Sequence, residues 1–207
     1  MRQKILFDVD YTLIDTAKFK ENFKRKITGL LDISFEDFLL AEQDYVKKDC
    51  GFTDFVPQDY IDFISDKFNF DKLMIAEAFF NDENFSNIVF PDVYPSLEIL
   101  SKMYDLGIFS EGFKEFQLLK LRKTGLFDFF DENLIFIFRR KLTESNLKLL
   151  PQECFVVDDN IESILALGEF SRFKPVWINR KTDRADGKYF TIFNLENFEN
   201  ILKNYPA

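Results

Sequence analysis

The chain has 207 residues, of which 46% are hydrophobic and 30% charged, enough to bury the core of one domain with a small insertion. Its 36 Asp and Glu against 27 Lys and Arg leave a net charge of -9, which disfavours non-specific binding to nucleic acid or to an anionic membrane surface. Histidine is absent, which excludes Ser-His and Cys-His catalysis and every His-ligated metal site, so acid-base work falls to carboxylate, Lys, Tyr or Cys.

The first element is the apolar run Lys4-Ile5-Leu6-Phe7, the pattern of a parallel strand covered on both faces, and it feeds Asp8-Val9-Asp10. In open α/β sheets ligands bind outside the carboxyl ends of the strands, where Asp8 and Asp10 fall. Two such carboxylates can hold a hard cation, and one can attack phosphorus. The plainer use of an Asp-x-Asp pair is a polar turn. After Asp15 the period becomes helical. Phe19, Phe23, Ile27, Leu30 and Leu31 share one face, while Lys18, Lys24 and Arg25 read as a solvated one. Ser34, with Asp37 three residues on, caps a second helix that stops at Cys50-Gly51; a third starts at Pro57 and a fourth runs from Asp71 to Phe80. Asn81 to Pro91 is a loop, which closes a helical insertion over 16–89 and leaves 1–15 and 90–207 as an α/β core.

From Pro95 helices and strands alternate. A helix from Pro95 leads to a strand Leu106 to Phe109 that ends at Ser110; an amphipathic helix over Phe113–Thr124 is closed by Gly125. Leu134 to Phe138 is a buried strand that empties into Arg139-Arg140-Lys141, followed by a helix from Thr143 to Leu150. Cys154 to Val157 ends on Asp158-Asp159, with a helix from Asn160 to Gly168; strands at Pro175–Ile178 and Tyr189–Ile192 and a helix from Leu195 to Leu202 complete the chain. This alternation predicts a Rossmann-like α/β fold, a parallel sheet with right-handed crossovers and helices on both faces, plus the small all-helical insertion. The 28 phenylalanines follow the helix and strand periods instead of forming one cluster, and so read as core filling.

Cys50 and Cys154 are far apart and form no Cys-x-x-Cys pair, so reduced thiols are expected. The first strand begins within a few residues of Met1 and no apolar run is long enough to span a bilayer, so a cytoplasmic protein is expected. Monomer and homodimer stay open.

Four consecutive parallel strands bring Asp8 and Asp10, then Ser110, then Lys141, then Asp158 and Asp159 to one sheet edge. Carboxylates, a hydroxyl and an ammonium gathered there make a place for a divalent cation and a phosphate. Each also has a plainer use. Ser110 suits a helix cap, Lys141 solvent, and Asp158-Asp159 an acidic turn with Asn160 as cap; a register shift of one residue would put Arg139 or Arg140 in place of Lys141.

In order and spacing these four groups resemble the motifs of the haloacid dehalogenase-like (HAD) superfamily of phosphohydrolases, and the resemblance covers nearly the whole chain. The first motif resembles Asp8-Val9-Asp10-Tyr11-Thr12, the second Ser110, the third Lys141 and the fourth Val156-Val157-Asp158-Asp159-Asn160. The resemblance implies Asp8 as nucleophile, Asp10 as acid and then base, and Lys141 as the cation that neutralises charge on Asp8. It implies Mg2+ held by Asp8, the Asp10 carbonyl and Asp159, with Asp158 either ligating or holding a metal-bound water, and Ser110, Glu111 and Thr12 as the substrate side of the site. The 16–89 segment sits where one group of these enzymes inserts a mobile helical cap. Two departures stand out: Leu142 where the family often has Pro after the Lys, and Ser163 where many relatives place a further carboxylate. Dehalogenating relatives lack a carboxylate at the position of Asp10, so the implied activity is magnesium-dependent hydrolysis of a small phosphorylated metabolite. The alternatives are a sugar-phosphate phosphotransferase or mutase, and a phosphate-binding or interaction module without turnover.

Overall fold

The computed structural model describes residues 2–48, 55–182, 184–185, 187–203 and 205; of 46–48 it describes the backbone. The expected stop of the second helix at Cys50-Gly51 lies outside them. In chain order the elements are β1 (Lys4–Phe7), α1 (Thr16–Leu31), α2 (Phe35–Lys48), α3 (Pro57–Phe68), α4 (Lys72–Phe79) and α5 (Val93–Leu100). They continue with β2 (Asp105–Glu111), α6 (Lys114–Lys123), β3 (Ile135–Phe138), α7 (Glu144–Leu147), β4 (Cys154–Asp158) and α8 (Ile161–Gly168). β5 (Phe173–Ile178), β6 (Phe190–Ile192) and α9 (Phe198–Lys203) follow. None of the described helices is long and apolar enough to cross a membrane.

The chain divides into two compact units, Met1–Asp15 with Val89–Ala207, and Thr16–Ile88. The first is a parallel six-stranded sheet in the order β3-β2-β1-β4-β5-β6, with helices on both faces. β1 is central: Ile5 pairs with Leu106 of β2 on one side and with Phe155 of β4 on the other. That is why the run is apolar without alternation, and Ile5, Leu6 and Phe7 are wholly buried. Burying each contributes roughly 1.5–3 kcal/mol. The chain builds outward from β1 through β2 to β3, then returns to β4 on the other side. The order therefore reverses between β1 and β4, the kind of point outside whose carboxyl ends ligands bind in open α/β sheets. One face is filled by Leu6, Phe109, Leu134, Leu147, Val156 and Leu167 among others. Gly107 is required there, because a Cβ on it would stand 2.5 Å from the Leu134 carbonyl oxygen and 2.7 Å from Leu6 Cδ2.

Several boundaries differ from the expected ones for local reasons. β2 runs through Ser110 and Glu111, because these polar residues still pair with Ile137 and Phe138 of β3. α5 starts at Val93, which leaves Pro95 in the first turn, where its missing N–H costs no helical bond. α7 is a single turn capped by Thr143 and gives way to tighter turns ahead of Pro151. α9 begins at Phe198 instead of Leu195, since Asn197 takes a left-handed φ of 55°.

The second unit is all helical. The Ser34 hydroxyl accepts from the Asp37 N–H at 3.0 Å and donates to its carboxylate at 2.7 Å, which starts α2; Asp71 accepts from the N–H groups of Leu73 and Met74 to start α4. Two expectations are corrected here. The phenylalanines do gather: Phe23 lies 5.0 Å from Phe79, 5.9 Å from Tyr60 and 6.3 Å from Phe38, and Phe19 lies 5.1 Å from Phe85. Aromatic stripes that look separate along the chain converge once the helices pack. Nor is Lys24 a solvated residue. Its ammonium is 2.5 Å from the Glu42 carboxylate, which also accepts from the buried Tyr60 hydroxyl at 2.7 Å.

Candidate active site

The loop after β1 is held by its own backbone. The N–H groups of Leu13 and Ile14 both donate to the Val9 carbonyl, and that of Tyr11 to the Ile14 carbonyl. Tyr11 adopts φ 57°, uncommon for a bulky residue, which lets the chain fold back within four residues. Asp8 stays in the sheet, its N–H donating to Val157 of β4 at 2.9 Å. The backbone thus sets Asp8 beside Asp158 at the point where strand order reverses.

Lys141 stands between those two carboxylates. Its Nζ is 2.8 Å from Asp8 Oδ1 and 2.6 Å from Asp158 Oδ2, and all three groups are buried. Arg139 and Arg140 are exposed, so the register question is answered in favour of Lys141. The Lys141 N–H donates to Glu111 Oε2 at 2.8 Å, which selects this residue from the basic run; the Glu111 carboxylate is thereby engaged with protein backbone. Asp158 Oδ1 accepts from the Asn160 N–H at 2.9 Å. Asp159 is set by Trp177, whose indole N–H donates to its carbonyl at 2.9 Å, and Lys181 reaches to 3.8 Å from its carboxylate.

One buried ammonium thus bonds two carboxylates with a third, Asp159, beside them, and the charge balance is negative. Burial, then the Asp158 charge, push the Asp8 carboxyl up to about 7 in spite of Lys141. Burial and Asp158 likewise push Asp159 up to about 6. Burial alone would lower the Lys141 pKa, but Asp8 and Asp158 outweigh it and raise it. Oxygens of Asp8, Asp158 and Asp159 lie within 4.8 Å of one another, the donor chemistry and spacing that a small divalent cation takes. The residues fit such an ion.

Asp10 is held by α6. Both of its carboxylate oxygens lie on Lys120 Nζ, at 2.6 and 2.7 Å, and Oδ2 also accepts from Gln117 Nε2 at 2.7 Å. The Asp10 carboxylate is outside the three-carboxylate group among the described residues. Ser110 and Thr12 are almost wholly buried, and neither hydroxyl has a hydrogen-bond partner among the described residues. Such orphaned buried groups call for a ligand or water. The Thr12 carbonyl accepts from Arg180 Nε at 2.9 Å, and the same guanidinium grips Asp92 through two bonds of 3.0 and 2.9 Å. Arg180 therefore joins the segment that leaves the sheet to the one that returns to it.

No family model matches the chain, and no curated protein matches it. Solved structures do. A HAD phosphatase from Thermococcus onnurineus is 26% identical, with all of both chains covered and a TM-score of 0.63. The 2-haloacid dehalogenase of Pseudomonas syringae pv. Tomato DC3000 is 19% identical over all of both chains, TM-score 0.71. The HAD-hydrolase YfnB of Bacillus subtilis, bound to magnesium, is 17% identical over 97% of this chain and 98% of its own, TM-score 0.69. The chain has the HAD-like hydrolase fold.

Within this HAD-like fold, the sequence reading missed Lys120, Gln117 and Arg180. A signal existed for the first two. Gln117 and Lys120 fall at helical spacing with Phe113, Phe116 and Leu121, so they stand on the apolar stripe of α6, where an unpaired ammonium would be costly. The expected amphipathicity of that helix is corrected accordingly, since Gln117 and Lys120 are buried with its apolar residues. At the position where HAD relatives often carry a carboxylate, Ser163 is buried in the first turn of α8 with a hydroxyl that has no partner among the described residues, and the neighbouring Glu162 is exposed.

Proposed function

We propose that the protein is a magnesium-dependent phosphomonoester hydrolase that acts on a small phosphorylated metabolite through an aspartyl-phosphate. The observation that carries this reading is the Asp8–Lys141–Asp158 triad beside Asp159, with an orphaned Ser110 hydroxyl and a second carboxylate, Asp10, two residues from the first. Asp8, Asp158 and Asp159 are the residues that would hold Mg2+, together with the Asp10 carbonyl. When bound, the ion supplies charge neutralisation for phosphoryl oxygens. Relatives of the same fold include a phosphatase and a structure with magnesium bound, which supports the choice.

The chain's own residues account for the rest. The Asp8 carboxylate attacks phosphorus, the P–O bond to the leaving group breaks, and Asp10 gives its proton to the departing alkoxide. Water then attacks the phosphorus of the Asp8 acyl phosphate, Asp10 takes the proton, and the bond to Asp8 breaks to release phosphate. Lys141 stabilises Asp8 as an anion before attack and as a leaving carboxylate afterwards. Ser110 donates its free hydroxyl to a phosphoryl oxygen, and Thr12 stands ready beside the Asp10 loop. Dehalogenation, the activity of other neighbours, fits less well. A halide leaves without a proton, so Asp10 would have no task.

The test is a screen of phosphorylated metabolites and 4-nitrophenyl phosphate, with and without chelator, for wild type and Asp8→Asn. Phosphate release that needs both magnesium and Asp8 is expected. Halide release from haloacids, an isomerised sugar phosphate without free phosphate, or activity that survives either the chelator or the substitution would refute the reading.

A further inference from the structure

Asp10 is held by α6, and the manner of holding is specific. Lys120 is almost completely buried, and its Nζ bonds both oxygens of a carboxylate 110 residues earlier in the chain, at 2.6 and 2.7 Å. The Asp10 carboxylate is itself partly open to solvent, with 28% of its side chain exposed. A buried ammonium is costly unless it is paired, so α6 tolerates Lys120 only because Asp10 meets it. Gln117, one turn earlier on the same face, donates through Nε2 to Asp10 Oδ2 at 2.7 Å and to the Glu111 carbonyl at 2.9 Å. Glu111 in turn accepts the Lys141 N–H. A continuous run of hydrogen bonds therefore connects Asp10, through Gln117 and Glu111, to the segment that carries Lys141 and so to Asp8.

We infer that Lys120, braced by Gln117, is the positioning residue of Asp10: it fixes the rotamer and place of the carboxylate that serves the leaving group. The inference rests on the phosphohydrolase reading of the site. A carboxylate on a loop has two free side-chain torsions, and a one-ångström misplacement of a reacting group is enough to cost about a hundredfold in rate. A charged donor that spans both oxygens, fixed on a helix, removes that freedom. Lys120 touches neither substrate nor the reacting atoms in this role. Its effect passes through Asp10, and it should be confined to the steps in which Asp10 moves a proton.

The experiment compares Lys120→Met, Lys120→Gln and Lys120→Arg with wild type, each also in an Asp10→Asn background. Rapid-quench measurement gives the rate of phenol release from 4-nitrophenyl phosphate, whose leaving group needs little protonation, and from phenyl phosphate, whose leaving group needs more. In Lys120→Met the ratio of the phenyl to the nitrophenyl rate is expected to fall about tenfold to a hundredfold, in Lys120→Gln by less, while Lys120→Arg restores most of it. In Asp10→Asn the further Lys120→Met change should leave the ratio unaltered. A purely structural role would lower both rates alike, in both backgrounds, and that pattern overturns the proposal, as does a wild-type ratio in folded Lys120→Met or Lys120→Gln. Crystal structures supply a readout apart from turnover. The Asp10 carboxylate is expected to leave its place beside α6 in Lys120→Gln or Lys120→Met, and an unmoved carboxylate in either overturns the proposal. If the carboxylate moves but wild type hydrolyses no phosphate ester, the phosphohydrolase reading has failed and Lys120 still stands as the holder of Asp10.

Discussion

Replacing Lys141 by Met removes the one cation between two buried carboxylates, and its cost can be worked from the geometry. Nζ lies 2.8 Å from Asp8 and 2.6 Å from Asp158, with less than a tenth of any of the three side chains exposed. At an effective dielectric near 20 each contact is roughly 6 kcal/mol of gross attraction, most of which offsets the desolvation of the charges. What the substitution loses is the difference: two carboxylates left buried without a cation, about 3–5 kcal/mol at pH 8. Protonation relieves that cost. A carboxyl whose folded pKa is raised favours the folded state below its usual value of 3.8 and loses that advantage as pH rises through the folded value, about 7 for Asp8. Wild type therefore gains stability from Asp8 as pH falls from 8 to 5. The variant gains more, because loss of Lys141 moves Asp8 higher still. Each pH unit recovers up to about 1.4 kcal/mol per carboxyl. Urea unfolding in chelator, followed by Trp177 fluorescence and far-UV circular dichroism, reads this directly. With a urea slope of about 2–3 kcal/mol/M, the variant's midpoint should lie roughly 1–2 M below wild type at pH 8. The gap should narrow by pH 5.5. Equal midpoints at pH 8, or a gap that widens toward acid, would refute the electrostatic account.

The same shifted carboxyl predicts how magnesium binding depends on pH. On the proposed reading the ion takes the ionised form of Asp8, so calorimetry should find binding about tenfold weaker at pH 6 than at pH 8, with proton uptake by the buffer on binding below pH 7; pH-independent affinity would contradict the assignment of Asp8 as a ligand. For the helical unit, we propose that it governs which esters are accepted. Replacing Thr16–Ile88 by a short linker should keep the α/β unit folded, with its own core and its Arg180–Asp92 tie, and should abolish discrimination between small and large phosphate esters. An unchanged preference in a deletion protein with native circular dichroism would count against that role.

The residues of this site differ in how far a linear reading could find them, and the difference follows the force that places each one. Asp8, Ser110, Asp158 and Asp159 stand at the ends of strands whose burial on both faces leaves an apolar run in the sequence, so the run announces the carboxyl edge and its last residues announce the site. The reading stopped two residues short in β2 because it used polarity as a stop signal, whereas Ser110 and Glu111 are kept in the sheet by backbone pairing with β3. Cations are harder, since no backbone period places an ammonium. Three basic residues in succession gave no local ground for choosing Lys141, and the choice is made by Glu111, thirty residues away, which takes its N–H. Lys120 and Gln117 lie within the stretch expected only as an amphipathic helix, where a Lys is ordinarily solvated; only Asp10, brought close by the order of the strands, makes their inward position tolerable. Carboxylates that the backbone delivers are therefore visible from periodicity, and the cations that neutralise them become visible only through their partners. For a chain of net charge -9 this has a practical consequence: the informative lysines are those at helical spacing with phenylalanine and leucine, where solvent cannot account for them.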